Sequence, residues 1–204
     1  MSIPNSLTVF RIILTPVFVL LLFSDSPLAK ELSLLVYIVA ALTDWYDGWV
    51  ARKYGYISRW GKFLDPLADK ILSSAALFSF AYLSLVDLWM VWIIVVRDFI
   101  VTLLRSVAEF YDRPVVTSKT AQAKTFGEFL IIYYILILYV ARCLPLFMQR
   151  YGPLLDSLMH PKVLFGMMLL VTISSIGTGC MYMFDNRQFL RECYDRLTRP
   201  SKYP

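Results

Sequence analysis

The chain has one histidine, three cysteines and eight glycines among 204 residues, and only 17% of it is charged. The histidine, His160, sits in a Met-His-Pro step at an apolar boundary and reads as an interfacial residue. A lone histidine so placed excludes histidine-based nucleophile triads. Cys143, Cys180 and Cys193 are isolated, odd in number and without a C-x-x-C spacing. That pattern argues against a disulfide framework or a zinc site, and packing is the better reading. No low-complexity tract, internal repeat or long linker interrupts the chain. It therefore reads as a single domain over residues 1–204, with a basic tail from about residue 185.

What is abundant is apolar surface. Hydrophobic residues make up 58% of the chain and aromatics 16%, with a mean hydropathy of +0.61; soluble domains run nearer about 45–50% apolar. The excess falls in six runs, Leu7–Phe23, Leu32–Val50, Phe63–Leu83, Leu88–Ala108, Phe126–Phe147 and Val163–Phe184. Each is close to the roughly 20 residues needed to cross the hydrocarbon. The expected fold is all-α, a polytopic membrane protein with six transmembrane helices and both termini on one side.

Basic residues choose the side. Arg11, Arg52, Lys53, Arg59, Lys62, Lys70, Arg105, Arg113, Lys119, Lys124, Arg187, Arg191, Arg196, Arg199 and Lys202 fall on one set of segments. Lys30, Arg142, Arg150 and Lys162 fall on the other, and Arg97 lies inside a span. The bias places both termini in the cytoplasm. The first run is followed by Ser24-Asp25-Ser26, a poor cleavage site, and is expected to stay as a span. The basic tail is expected to lie on the anionic inner leaflet, where each cation gains about 1 kcal/mol. That is a surface effect and gives no ground for nucleic-acid binding. Trp45, Tyr46, Trp49, Trp60, Trp89 and Trp92 read as interfacial or packing aromatics, with Trp45 and Trp49 near enough to the acidic cluster below to touch a ligand.

The informative stretch runs from Thr43 to Asp69. At 100° per residue, Asp44, Asp47, Gly48 and Ala51 share one helical face within about 100° of arc. Asp65 and Asp69, four apart, share a face of the next helix. Both sets lie at the cytoplasmic mouths of consecutive spans, so four carboxylates are expected to converge. Each ionised group beside a span is costly unless paired or hydrated, and too few cations lie in register to neutralise all four. Hard divalent ions would do so through carboxylate oxygens, and two of them clamp the oxygens of a phosphoryl centre. Gly48 and Ala51 leave the face bare enough for a bulky ligand, and Arg52 adds a fork suited to phosphate.

Blander readings exist for some of these residues. Asp65 before Pro66 fits a helix cap, Gly48 and Ala51 fit small-residue helix packing, and Arg52 with Lys53 fits snorkelling anchors. Together they leave Asp44, Asp47 and Asp69 unexplained.

The string D-x2-D-G-x2-A-R-x8-G-x3-D-x3-D is matched at every fixed position by Asp44, Asp47, Gly48, Ala51, Arg52, Gly61, Asp65 and Asp69. It resembles the signature of the CDP-alcohol phosphatidyltransferase family. The resemblance implies that Asp44, Asp47, Asp65 and Asp69 hold two divalent cations, Mg²⁺ or Mn²⁺, and that Asp69 is also the catalytic base. It implies a CDP site at Gly48, Ala51 and Arg52, with Gly61 in the turn beside it. It further implies a membrane enzyme with a cytoplasmic site, as in a bacterial inner membrane, among membrane lipids; homodimers are common in the family.

Ile3-Pro4-Asn5-Ser6-Leu7-Thr8 with Arg11, the run Phe63–Lys70, the run Arg97–Arg105 and Ala123-Lys124-Thr125 are similar to the phosphatidylglycerophosphate synthase branch. Ser118–Gln122 departs from the Trp-x-Gly-Lys pattern of that branch. The substrates implied are CDP-diacylglycerol and glycerol-3-phosphate. The latter is a dianion that needs cations, and Arg105 with Lys124, at the cytoplasmic ends of their spans, are the expected acceptor-phosphate ligands. Arg97, beside Asp98, reads more simply as half of a buried ion pair.

Other acceptors fit the same chemistry: phosphatidylglycerol, as in a cardiolipin synthase, inositol phosphate or serine. A divalent-cation transporter would distribute acidic residues through the bundle, whereas these lie at one mouth, and the second, fifth and sixth spans read as uncharged deeper in. A scaffold would leave the carboxylates a pure cost.

Overall fold

The computed structural model describes residues 3–54, 59–110 and 119–187; the side chains of 3–7, 44–54, 59–65, 109, 110 and 119 fall outside that description. The described residues form seven helices and no strand: α1 Ile3–Leu22, α2 Pro27–Tyr54, α3 Arg59–Tyr82, α4 Leu88–Phe110, α5 Lys119–Cys143, α6 Pro145–Leu158 and α7 Pro161–Asp185. The all-helical expectation holds. Six long helices follow the six apolar runs in order, and the short α6 is additional. Two stretches, Thr120–Cys143 and Pro161–Asp185, are long and apolar enough to cross a membrane.

The extra helix has a local cause. The fifth run was expected to continue to Phe147, but Leu144 precedes Pro145, and the ring of a proline pushes the residue before it out of the helical region. Leu144 is extended, with φ −91° and ψ 120°, and α6 starts at Pro145. A kink follows at Tyr151, where φ is −126°, two residues before Pro153. Tyr134 of α5 holds the end of α6 by donating its hydroxyl to the Leu158 carbonyl at 2.9 Å. His160 then caps α7: its ring nitrogen accepts from the Lys162 amide at 3.2 Å.

Pro66 behaves otherwise. The helix expected to start there, capped by Asp65, instead begins at Arg59 and runs through the proline. Asp65 is thus an interior helical position, and Gly61 lies in the helix rather than in a turn. The proline removes one backbone hydrogen bond from the ladder, which the packing of α3 against its neighbours tolerates.

The six long helices close a ring. α1 packs on α2 and α3, α3 on α4, α4 on α7, α7 on α5, and α5 on α2; α3 and α5 also meet across the middle. Phe18, Tyr37, Leu72, Phe80, Ile94, Ile132, Leu136 and Met168 join one apolar core. Close packing of these side chains, rather than their removal from water, is what holds such helices together in lipid. Phe18, Tyr37 and Tyr133 stack in series across α1, α2 and α5, with centroids 5.1 and 5.4 Å apart.

The polarity is inverted relative to a soluble bundle. Ile13, Leu35, Leu42, Leu103, Leu130, Leu170 and Ile173 point outward and are more than half exposed, while Arg11, Lys70, Asp98, Lys124 and Glu128 are buried. An apolar stripe on a soluble helix faces the core; here apolar side chains also cover the outside, as a lipid-facing surface requires.

α3 ends in a Schellman motif. The Leu85 amide donates to the Phe80 carbonyl at 2.9 Å and the Ser84 amide to Ala81 at 3.0 Å. Ser84 takes the left-handed position with φ 57°, where glycine is the usual residue. A left-handed L-residue costs about 1–2 kcal/mol. Ser84→Gly is therefore expected to stabilise the fold by about 1 kcal/mol, read as a higher melting temperature in detergent with unchanged helical circular dichroism.

Candidate functional site

The polar interior is organised by one carboxylate. Asp98 of α4 accepts from Lys70 of α3 through Oδ2 at 2.7 Å, and through Oδ1 from Lys124 of α5 at 2.6 Å and from Arg97 at 2.9 Å. Lys124 also donates to Glu128 at 2.7 Å. Arg97 extends the network to α7 by donating from Nη2 to the Thr178 hydroxyl at 2.8 Å. Four helices are therefore tied by charge-assisted bonds, which run about twice as strong as neutral ones. The Asp98 and Lys124 side chains are 2% and 1% exposed. Among the described residues, the network joins three cations to two carboxylates.

Above this floor opens a cleft of about 510 Å³ between α3, α4, α5 and α7. Asp69 and Lys70 line it from α3, Arg97, Thr102 and Arg105 from α4, Gln122 and Thr125 from α5, and Tyr182 from α7. Asp69 and Lys70 are adjacent on α3, about 100° apart around the helix. The lysine turns inward to Asp98 while the half-buried aspartate faces the cleft wall. Asp69 and Arg105 therefore line the same space, and an acceptor carrying both a hydroxyl and a phosphate has a residue of matching chemistry for each.

The expected site residues fall into three groups. Asp44, Asp47, Gly48, Ala51 and Arg52 lie on the last turns of α2, and Gly61 and Asp65 on the first turns of α3; all seven side chains are outside the described residues. Asp69 and Arg105 meet in the cleft, with Arg105 exposed. Lys124 is buried and doubly paired with Asp98 and Glu128, and does not line the cleft. Arg97 is indeed one half of an ion pair with Asp98.

Sequence reasoning passed over Glu128, Lys70, Thr178 and Tyr182 as site components. The fifth span, read as uncharged deeper in, carries a buried Glu128. Its spacing of four from Lys124, which stacks side chains on one helix face, was the available signal. Both carboxylates of the network are paired with cations rather than open to the cleft, so they do not form a line of permeation sites.

For the implied cations, the donor chemistry fits. Asp44 and Asp47 are three apart on α2, Asp65 and Asp69 four apart on α3, and the two helices pack together. Carboxylates alone make an all-oxygen set suited to Mg²⁺ or Mn²⁺.

The CDP-alcohol phosphatidyltransferase family model matches residues 1–173, spanning α1 to α6 and the first half of α7. The chain belongs to that family. Curated relatives of this CDP-alcohol phosphatidyltransferase include one from Bacillus subtilis, 34% identical over 148 residues, covering 67% of this chain and 77% of the relative. Another, from Rickettsia bellii, is 38% identical over 125 residues, covering 61% and 69%. A third, from Salmonella typhimurium, is 45% identical over 76 residues, covering 37% and 42%. All three are named CDP-diacylglycerol--glycerol-3-phosphate 3-phosphatidyltransferase.

Removing one partner of a buried pair strands the others, at a typical cost of about 3–5 kcal/mol. Asp98→Ala leaves three cations facing one carboxylate. The expected outcome is a large fall in melting temperature or loss of accumulated protein, measured beside Asp156→Ala, whose partner Arg142 is 46% exposed and whose loss should cost under about 1 kcal/mol.

Proposed function

We propose that the chain transfers a phosphatidyl group from CDP-diacylglycerol to glycerol-3-phosphate, giving phosphatidylglycerophosphate and CMP. The observation that carries this reading is the shared cleft: Asp69, the last residue of the eight-position string, lines the same space as Arg105, Lys70 and Arg97. A small alcohol that bears a phosphate dianion matches that space better than serine, which has none. The names of the curated relatives point to the same pair of substrates.

In this reading Asp69 accepts the proton of the acceptor hydroxyl as that oxygen attacks the β-phosphorus of the CDP-lipid. The bond from that phosphorus to the bridging pyrophosphate oxygen breaks, and CMP leaves with its electron pair. Arg105 binds the acceptor phosphate, and Lys70 and Arg97 supply charge from the cleft wall. These groups contribute by fixing the hydroxyl against the base and phosphorus rather than by covalent chemistry. Arg52, Gly48 and Ala51 bind the CDP moiety, with Gly61 nearby. Asp44, Asp47, Asp65 and Asp69 would hold two divalent cations, which neutralise the pyrophosphate and the departing CMP.

The six long helices cross the membrane, with both termini in the cytoplasm. The first half of α3, the second half of α4, the first half of α5 and the end of α7 then share the cytoplasmic mouth. That is the end where the basic residues accumulate. A bacterial inner membrane fits this arrangement.

Purified protein given CDP-diacylglycerol with glycerol-3-phosphate, phosphatidylglycerol, inositol phosphate or serine should release CMP with glycerol-3-phosphate. A different preferred alcohol would reassign the acceptor. Chelation should abolish turnover, and Mg²⁺ or Mn²⁺ should restore it. Asp69→Asn should lower kcat by about 10²–10⁴-fold, the range for loss of a general base; undiminished turnover would remove Asp69 from the chemistry. Arg105→Ala should raise the KM for glycerol-3-phosphate about tenfold or more, as loss of a hydrogen bond to a charged group does, with little change for the CDP-lipid. Equal effects on both would discard the arginine as an acceptor ligand.

A further inference from the structure

Arg97 reaches the cleft wall from inside the bundle, with its side chain 12% exposed. Among the described residues its guanidinium is held at two points. Nη1 donates to Asp98 at 2.9 Å and Nη2 to Thr178 at 2.8 Å, while Nε is buried with no hydrogen-bond partner among the described residues. The plane of the guanidinium is therefore set by one carboxylate and one hydroxyl.

Thr178 is prepared for that contact. Its hydroxyl has one proton, and the Ser174 carbonyl lies 2.7 Å away, one turn back on α7. Donation to that carbonyl leaves a lone pair facing Arg97. The next residue makes room for the arginine stem: a Cβ at Gly179 would lie 3.1 Å from Arg97 Cγ and 3.7 Å from Nε. That gap is tighter than ordinary van der Waals contact, and the crowded atom is mid-stem, between a fixed backbone and an anchored head. Thr178 and Gly179 thus form a seat for Arg97. Both lie beyond residue 173, where the family match ends, and Tyr182, one turn on, lines the same cleft.

We propose that Thr178 and Gly179 are positioning residues that hold the Arg97 charge at the cleft wall toward the phosphate of the acceptor alcohol, so that the end of α7 tunes acceptor affinity. The inference rests on the reading of the cleft as the acceptor site. Asp98 anchors the same arginine but also ties three other cations and carboxylates together, whereas Thr178 touches the network through Arg97 alone. Substitution at Thr178 therefore separates positioning from stability.

The experiment is steady-state kinetics for both substrates with the full chain in mixed micelles, alongside melting temperature. Thr178→Val and Thr178→Ala, which remove the hydroxyl, and Gly179→Ala, which displaces the stem, should each raise the KM for glycerol-3-phosphate about tenfold. That is the change expected for losing a hydrogen bond to a charged group. The KM for CDP-diacylglycerol should stay within about twofold. Thr178→Ser, which keeps the hydroxyl, should retain the low acceptor KM, and Thr178→Val should add nothing in an Arg97→Gln background. An unchanged acceptor KM, equal rises for both substrates, or a full effect persisting without Arg97 would each overturn the proposal. If Arg105→Ala raises the acceptor KM while the Thr178 and Gly179 variants do not, the role of α7 falls and the acceptor site stands. If Arg105→Ala also leaves it unmoved, both fall.

Discussion

Asp98 is the point on which the structure turns. A carboxylate this deep in a low-dielectric interior is tolerable only when cations and hydrogen bonds replace its lost water. It obtains three cationic partners from α3, α4 and α5. Through Arg97 the same group reaches α7. Apolar packing alone, between helices whose outward faces are also apolar, does little to distinguish one neighbour from another in lipid. Charge pairing does distinguish them, because separating α3 or α5 from α4 gives up the buried Lys70–Asp98 or Lys124–Asp98 bond.

That network also shapes the cleft. Lys70 from α3 and Arg97 from α4 both pair with Asp98, and Lys124 is pulled below the surface by two carboxylates. The space above keeps Asp69 and Arg105 on its walls. The basic residues along its walls, Lys70, Arg97 and Arg105, suit a dianionic small molecule. The stability of the bundle and the charge of the site thus depend on the same few atoms.

Much of this was readable from the chain. Six long apolar runs marked the six principal helices, each of which follows its run in order. The eight-position string placed the acidic residues on α2 and α3 because helical period is strict. Local chemistry at prolines was less legible. Pro145 starts a helix and Pro66 sits inside one, and which occurs depends on the packing around it. Lys124 illustrates the limit for the site. Its height along α5 was evident, but its direction depended on Asp98, twenty-six residues away in sequence, and on Glu128, which a reading by apolar runs treats as background. Thr178 and Gly179 carried no motif; only the neighbouring helix gives them meaning.

The buried charges of α4 and α5 each lie close to an opposite charge on the same helix. Arg97 and Asp98 are consecutive on α4, and Lys124 and Glu128 are one turn apart on α5. An isolated ion at the centre of a span costs about 2.5–3.5 kcal/mol to insert, yet each of these segments brings its own counter-ion. In the six-span reading proposed above, α4 and α5 would each enter the bilayer with these charges already paired. Arg11 differs: it is buried on α1, which has no acidic residue, and it reaches to α2, donating from Nε to the Ala40 carbonyl at 3.3 Å.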